Sequence, residues 1–200
     1  NEDGRGNGER MAVDPNDGRV LFLGTRKNGL WKSEDGAVTW SKVESFPKDV
    51  LQLSPEEEKL PAWSGGGRNT VVFVVFDPTS GSKGKPSQTI YAGVSVMGKP
   101  GLYRSEDAGK TWKVVPGAPT KYRPNHAVLA SDGKLFLTFG TDPGPMQMVD
   151  GALWKLDTKS GTWTDITPDK PDQERKFGYA AVSVDTKDPK VLICSSFYRP

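Results

Sequence analysis

The sequence predicts an all-β protein, a β-propeller of four-stranded antiparallel blades. Three observations predict it: a Ser-x-Asp-x-Gly-x-Thr-Trp motif recurs along the chain, an Asp-Pro landmark recurs upstream of it, and short apolar runs separate the two. The composition agrees, since 23 glycines, 16 prolines and 6 tryptophans in 200 residues are typical of many short strands, many turns and a few large aromatic anchors.

The recurring motif is complete at residues 105–112 (SEDAGKTW) and nearly complete at residues 33–40 (SEDGAVTW), where Ala37 occupies the glycine position. A worn third copy ends at residues 159–163 (KSGTW). This is the Asp box, a tight β-hairpin in which the aspartate and serine side chains can bond turn amides. The glycine permits the turn, and the tryptophan packs between neighbouring sheets. We therefore interpret Asp35 and Asp107 as structural residues.

Each motif closes a unit that runs strand, Asp-Pro turn, strand, loop, strand, Asp box, strand. The units predict three blades and the first half of a fourth, at about residues 11–43, 71–115, 126–166 and 179–200. Propellers close with roughly four to eight blades. We therefore expect residues 1–200 to form a partial propeller domain whose parent chain supplies the rest of the ring.

Charge and composition exclude several classes of function. With 27 Lys and Arg against 25 Asp and Glu, the balance argues against a nucleic-acid or anionic membrane partner. A single histidine and a single cysteine are too few for a zinc site or a Cys-His couple, and no phosphate-binding loop is present, so we expect no cofactor and no metal. No run approaches the ~18 apolar residues of a membrane span. The chain starts at Asn1 without a signal peptide, so we expect a processed or excised chain.

Strand order predicts where a ligand binds. If the first strand of each blade is innermost, the Asp boxes lie at the bottom of the ring and the second-to-third and fourth-to-first connections lie at its top. Aromatic side chains there suit the apolar face of a sugar ring, although capping of the core between blades remains an alternative. Tyr179 is expected to pack inward, and a lone histidine is more often structural than catalytic. The candidate substrate-binding residues are Trp63, Tyr122, His126, Phe197 and Tyr198.

Several stretches resemble glycoside hydrolase family 74, the xyloglucanases and oligoxyloglucan reducing-end-specific cellobiohydrolases. They are residues 4–15 (GRGNGERMAVDP), 22–25 (FLGT), 29–33 (GLWKS), 125–129 (NHAVL) and 161–168 (GTWTDITP). The resemblance covers essentially the whole chain. It implies an internal segment of the first of two seven-bladed propellers, which face each other across a cleft that holds xyloglucan, a xylose-branched β-1,4-glucan. It also implies an extracellular, inverting endo-glucanase with one catalytic aspartate from each propeller.

The resemblance further implies that neither catalytic aspartate lies in this segment. The family's first-propeller aspartate stands in an Asp-x-Gly-Gly-x-Tyr-Arg stretch, whereas the matching repeat position here is RKNGLWK at residues 26–32. The family's paired stacking aromatics, Trp-Trp-Pro, match residues 197–200 (FYRP) with smaller rings. The implied partners are a xyloglucan or related β-glucan and a second propeller domain.

Two other interpretations stay open. A non-catalytic propeller, a binding or assembly module of the sortilin-like or photosystem-assembly-like kind, would lack an Asp-x-Gly-Gly-x-Tyr-Arg motif in the preceding sequence. A sialidase would need an Arg-Ile-Pro motif, and none occurs in these 200 residues.

Overall fold

The computed structural model describes residues 10–25, 28–52, 70–142, 144 and 148–198, with the side chain of Tyr198 excepted. Within these ranges the chain forms 14 β-strands and two short 3-10 helices, Asp49–Leu51 and Pro78–Ser80. In this described part, neither helix has the length and apolarity needed to span a membrane.

The strands form four antiparallel sheets, each built from consecutive strands. The first sheet holds β1 (Met11–Val13), β2 (Leu21–Gly24), β3 (Leu30–Ser33) and β4 (Ser41–Lys42). The second holds β5 (Val71–Phe76), β6 (Ile90–Val94), β7 (Leu102–Ser105) and β8 (Lys113–Val114). The third holds β9 (Arg123–Leu129), β10 (Lys134–Gly140), β11 (Gly151–Asp157) and β12 (Trp163–Asp165). The fourth pairs β13 (Phe177–Val184) with β14 (Leu192–Tyr198).

The sheets pack face to face in chain order. Strand β5 contacts β1 and β2 of the first sheet, β9 contacts β5 and β6, and β13 contacts β9, β10 and β11. A sheet between two others is covered on both faces, so its strands are apolar without alternation. Strand β5 shows this, because Val71, Val72, Phe73 and Val74 are all buried. The successive face-to-face sheets have the arrangement of propeller blades.

Aromatic rings fill the space between the first two sheets. The Phe22 ring lies 5.9 Å from the Phe76 ring and 6.2 Å from the Trp112 ring. Phe46, from the connection after β4, lies 5.3 Å from Trp112. Trp112 is 8% exposed, which confirms that this motif tryptophan packs between neighbouring sheets.

The Ser-x-Asp turns have the hydrogen bonds that the motif predicts. Ser105 Oγ donates to Asp107 Oδ1 at 2.8 Å, and Thr111 N donates to the same oxygen at 2.8 Å. Gly109 N donates to Ser105 Oγ at 2.8 Å. In the third sheet the serine and aspartate of the motif are missing, and Asp157 Oδ1 accepts from Lys159 N and Ser160 N at 3.0 and 3.1 Å instead. The worn copy therefore closes its turn with an aspartate contributed by β11.

Two strand boundaries differ from those expected. Strand β9 begins at Arg123, three residues before His126. Strand β14 continues through Phe197 and Tyr198, which pair with Gly178 and Phe177, whereas the sequence suggested a loop there. The reason is the length of β13, which starts at Phe177 and offers those two residues hydrogen-bonding partners.

Candidate functional site

Most of the candidate residues in the described part lie at one end of the sheets, which we call the upper edge. It is defined by the points where β10 and β14 end and where β9, β11 and β13 begin, and these coincide because the strands are antiparallel. The Ser-x-Asp turns lie at the opposite end. Trp63, in a connection expected to reach the upper edge, lies outside the described residues.

Phe197 lies at the upper edge of the fourth sheet. It is half-buried and pairs with Gly178, close to the end of the ladder that joins β13 and β14. Gly178 itself leaves no room for a side chain, since a Cβ there would come within 2.3 Å of Met148 Sδ. Phe197 is thus partly accessible beside a tightly packed backbone. Tyr198 follows it in β14, with its side chain outside the description.

Tyr122 does not form an open surface on which a sugar ring could stack. Its side chain is only 8% exposed and belongs to the core between the second and third sheets. The hydroxyl donates to Asp150 Oδ2 at 2.7 Å, and Lys121 Nζ donates to the same oxygen at 3.1 Å. Burial raises the pKa of Tyr122, while hydrogen bonds to Tyr122 and Asp150 raise that of Lys121. The Tyr122 ring is therefore mostly covered, and its hydroxyl is already bonded to Asp150.

His126 lies between the third and fourth sheets. It is the fourth residue of β9, and its Nδ1 accepts from Val182 N of β13 at 3.4 Å. The imidazole is half-buried in this position. It contacts the neighbouring backbone below the upper edge, which agrees with the structural role expected of a lone histidine.

Tyr179 packs inward, as the sequence predicts. Its side chain is 3% exposed, and its hydroxyl donates to Asp169 O at 2.6 Å. The Asp169 carboxylate in turn accepts from Arg175 Nη1 at 2.8 Å. The tyrosine hydroxyl therefore anchors the connection between β12 and β13.

Buried polar side chains that the sequence analysis missed join three sheets at the upper edge. Arg123, 4% exposed, donates from Nη1 to Ser95 O of the second sheet at 2.8 Å. Asn125, 6% exposed, donates from Nδ2 to Tyr179 O of the fourth sheet at 3.1 Å. Both residues precede the expected start of the strand at His126, so no pattern in the sequence signalled their burial. These bonds hold the edge rigid, so side chains mounted on it are preorganised.

Two carboxylates near this edge, those of Asp165 and Asp172, are held in the ionised form. At Asp165 burial acts to raise the pKa, but hydrogen bonds from Thr167 lower it overall. A backbone hydrogen bond from Arg175 lowers the pKa of Asp172. A general acid needs a raised pKa, so these two groups are unsuited to protonating a leaving group. Within the described ranges, no three His, Cys, Asp or Glu side chains are grouped to hold a metal ion.

Comparisons with known proteins agree with this architecture. The chain is similar to xyloglucanase Xgh74A of Acetivibrio thermocellus, with 44% identity over 200 residues that cover 98% of the chain and 23% of that protein. A xyloglucanase from a Paenibacillus species is 41% identical over 198 residues, which cover 98% of the chain and 19% of that protein.

A crystal structure of a family 74 xyloglucanase from Xanthomonas campestris aligns with a TM-score of 0.83 and 44% identity, covering 96% of the chain and 27% of that structure. No protein-family model matches the chain. The chain spans about a quarter of the length of the first curated relative, 23%. On the identity along its whole length and the shared arrangement of sheets, the chain is homologous to a segment of the xyloglucanases of glycoside hydrolase family 74, and its sheets are part of a β-propeller.

Proposed function

We propose that this chain is a segment of an inverting endo-β-1,4-glucanase that degrades xyloglucan, and that it supplies scaffold and substrate-binding loops. The observation that carries the proposal is the 44% identity to a xyloglucanase across 98% of the chain. The upper edge adds support, since it presents a half-buried phenylalanine on a rigid, hydrogen-bonded edge.

We place the two catalytic aspartates outside this segment. An inverting pair needs one carboxylic acid and one carboxylate separated by ~6.5–9.5 Å. The carboxylates at the upper edge are instead engaged by cations or amides of this chain, as Asp150 is by Lys121 and Asp169 by Arg175. Both carboxylates are thus already paired with cations of this chain.

Among the candidate substrate-binding residues, Phe197 and Tyr198 have the most favourable location. They end a strand at the upper edge, and the accessible part of Phe197 offers a ring face for stacking on a sugar. For Tyr122 we propose that only the hydroxyl takes part in substrate binding. For His126 we propose an indirect role, through the packing of β9 on β13. Trp63 is retained on sequence grounds alone.

Apolar side chains on the first and last sheets support the wider assembly. Met11 and Val13 of β1 are 55% and 50% exposed, and Ile193 of β14 is 75% exposed. Exposed apolar groups of this kind are expected to be covered by neighbouring sheets. We infer a seven-bladed ring built on Asp-box repeats, a second propeller domain across the cleft, and secretion, because a plant polysaccharide is met outside the cell.

The test is a double substitution in the intact parent protein, Phe197→Ala with Tyr198→Ala. Stacking on an aromatic is worth ~1–3 kcal/mol, and at the lower end of that range we expect about a fivefold loss of affinity for long xyloglucan oligosaccharides. Hydrolysis of short activated substrates should be nearly unchanged, because only long ligands reach a distal subsite. Affinity is measured by titration calorimetry and hydrolysis by chromophore release.

A matched control is Lys190→Ala, which removes an exposed side chain from the turn that precedes the opposite end of the same strand. It should leave both measurements unchanged. If the double variant binds long and short ligands with wild-type affinity, the pair does not belong to the binding surface.

A further inference from the structure

The spaces between successive sheets, which we call seams, can be compared through rows of residues that pair side by side across neighbouring strands. Two such rows are Phe22, Lys32 and Ser41 in the first sheet, and Tyr91, Arg104 and Lys113 in the second. Residues that pair directly in an antiparallel sheet lie on one face. The Phe22 ring lies 6.2 Å from the Trp112 ring, so the first row faces the second sheet. Tyr91 packs in the core that the second and third sheets share, so the second row faces the third sheet.

In the first seam, the cation of the row is bonded on both sides. Lys32 Nζ donates to Glu34 Oε1 at 2.7 Å and to Ala108 O, in the motif turn of the second sheet, at 3.2 Å. The fourth strand contributes the uncharged Ser41 beside it. The positive charge of this row is therefore matched by groups of the chain itself.

In the second seam, two lysines stand where the first seam has uncharged residues. Lys113 takes the place of Ser41 in the row. Lys159 takes the place of Ala108, since each comes four residues before the tryptophan of its motif. Both lysines are exposed, and among the described residues neither ammonium group has a hydrogen bond or an ion pair. At these matching positions the second seam therefore carries two more positive charges than the first.

Arg104, which matches Lys32, adds a third cation. Its Nη2 lies 2.9 Å from Glu106 Oε1, and its guanidinium lies 5.8 Å from the centroid of the Tyr91 ring. Its Nε is buried and has no hydrogen-bond partner within the described ranges. Lys113 is paired directly opposite Arg104, and like charges in such pairs repel each other. An anion beside the row would relieve this repulsion.

A pocket of about 570 Å³ opens beside these cations at the lower edge, the end of the sheets that carries the Ser-x-Asp turns. Small-molecule sites occupy ~300–1,000 Å³, so the pocket has room for a small organic molecule and not merely for an inorganic ion. The lining residues used below are Arg104, Lys113, Val114, Pro116, Lys159 and Ser160. Val114 is 46% exposed, so part of the lining is apolar surface that a ligand can cover.

Two carboxylates also line the pocket, and both are already engaged. Glu106 is paired with Arg104. Asp107 accepts hydrogen bonds from Ser105 and Thr111 within its own turn. The two lysines are therefore left to attract an anion from outside the chain.

We propose that this lower-edge pocket binds a hydroxylated ring that carries an oxyanion, either a carboxylate or a phosphate. A guanidinium and two ammonium groups are donors that recognise such oxyanions. Val114 and Pro116 offer an apolar surface to one face of the ring, and the hydroxyl of Ser160 can bond a ring hydroxyl. The pocket lies at the opposite edge from Phe197, so it is separate from the surface proposed for the neutral glucan and does not depend on the proposed function.

The experiment is calorimetric titration of the intact parent protein with glucuronic acid and with a glucose monophosphate, with glucose as the neutral comparison. Lys113→Ser and Lys159→Ala install the residues of the first seam at the matching positions. Each should weaken binding of the charged probe by about tenfold, the factor for one charge-assisted hydrogen bond at the lower end of its range. Binding of glucose should be weaker and unchanged by the variants. The matched control is Lys187→Ala, an exposed lysine outside the pocket, which should bind each probe as wild type does.

The outcomes separate this pocket from general attraction by charge. A loss of affinity in both variants, for either charged probe, supports the inference, and the preferred probe identifies the oxyanion. If wild type binds neither charged probe, binds glucose equally well, or is matched by both variants, the inference is overturned. An equal loss in Lys187→Ala would also overturn it, because the overall charge would then explain the binding. Hydrolysis of xyloglucan and the circular dichroism melting temperature should stay unchanged in all three variants, so a failed titration leaves the proposed function standing.

Discussion

Two equivalent turn residues, Ala37 and Gly109, show how one position of the motif depends on its neighbours. Both have left-handed backbone, with φ of 72° and 84°. A Cβ on Gly109 would come within 2.4 Å of Phe22 Cζ, so the second sheet needs glycine for its contact with the first. Ala37 is exposed, and its methyl group meets no such barrier. Alanine is tolerated there sterically, at the cost of an unfavourable φ.

We predict that Ala37→Gly raises the free energy of unfolding by about 0.5–1 kcal/mol, because glycine adopts a positive φ without a Cβ penalty and this gain exceeds its greater freedom in the unfolded chain. Chemical denaturation measures the change. Gly109→Ala is the matched opposite, which should destabilise through its clash with Phe22. Equal stability of Ala37→Gly and wild type would show that the turn carries no strain.

Asp107 makes stability depend on pH in the acid range. Hydrogen bonds from the Thr111 side chain and backbone, with one from Ser105, lower its pKa from 3.8 to about 2. A carboxylate with a lowered folded pKa stabilises above its unfolded pKa and loses that contribution as the pH falls through the folded value. The melting temperature should therefore drop between pH 3.8 and about 2.

The variant Asp107→Asn, which does not titrate, should start less stable and lose less over this window, as followed by circular dichroism. Asp35 and Asp157 also have pKa values of about 2, so the variant still loses some stability over this pH range. An identical drop in wild type and variant would contradict the contribution of Asp107.

At the level of elements, the first two sheets are joined by a buried carboxylate at the edge opposite the candidate site. Asp14, 1% exposed, accepts from Ser87 N at 2.7 Å and from Ser87 Oγ at 2.8 Å. Its Oδ1 also accepts from Asn16 N at 2.9 Å, which closes the Asp-Pro turn after β1. The landmark aspartate thus has a second role, because it connects its own turn to the next sheet.

We predict that Asp14→Ala lowers the free energy of unfolding by about 2 kcal/mol, since it leaves the buried donors of Ser87 without an acceptor. Asp132→Ala is the matched control at the corresponding landmark of the third sheet. Asp132 is exposed and accepts only a local bond from Lys134 N among the bonds described, so the control should cost less than half as much. Comparable losses in the two variants would show that the connection between sheets adds nothing.

At the scale of the whole molecule, the chain is an arc of sheets and not a closed ring in its described part. The first and last sheets keep exposed apolar side chains, while the inner sheets are covered on both faces. The proposed binding surface at the upper edge would therefore be formed by residues of this segment, whereas the proposed cleft between two propellers would need a second domain.

We predict that the 200-residue chain, produced alone and folded, does not release reducing ends from xyloglucan, because the proposed catalytic aspartates lie outside it. The intact parent protein serves as the active control in the same reducing-end assay. Reproducible hydrolysis by the folded segment alone would overturn the placement of both aspartates.

Local patterns predicted the repeating elements well because they depend on residues close in sequence. The motif at residues 105–112 contains both the acceptor Asp107 and its donor Thr111, four positions apart. Tyr122 shows where this approach fails. The sequence places it in an upper loop, yet its hydroxyl reaches Asp150, 28 positions away, and the ring is buried between two sheets.

The sequence by itself determined the strand and turn order, the structural role of Asp35 and Asp107, and the family, because each is written in contiguous residues. Only the tertiary structure decided that Phe197 extends a strand, that His126 contacts β13, and that the Tyr122 hydroxyl bonds Asp150. Those outcomes depend on which side chains from separate sheets share one volume. Packing sets that volume through contacts between residues far apart in the chain, and no local pattern contains them.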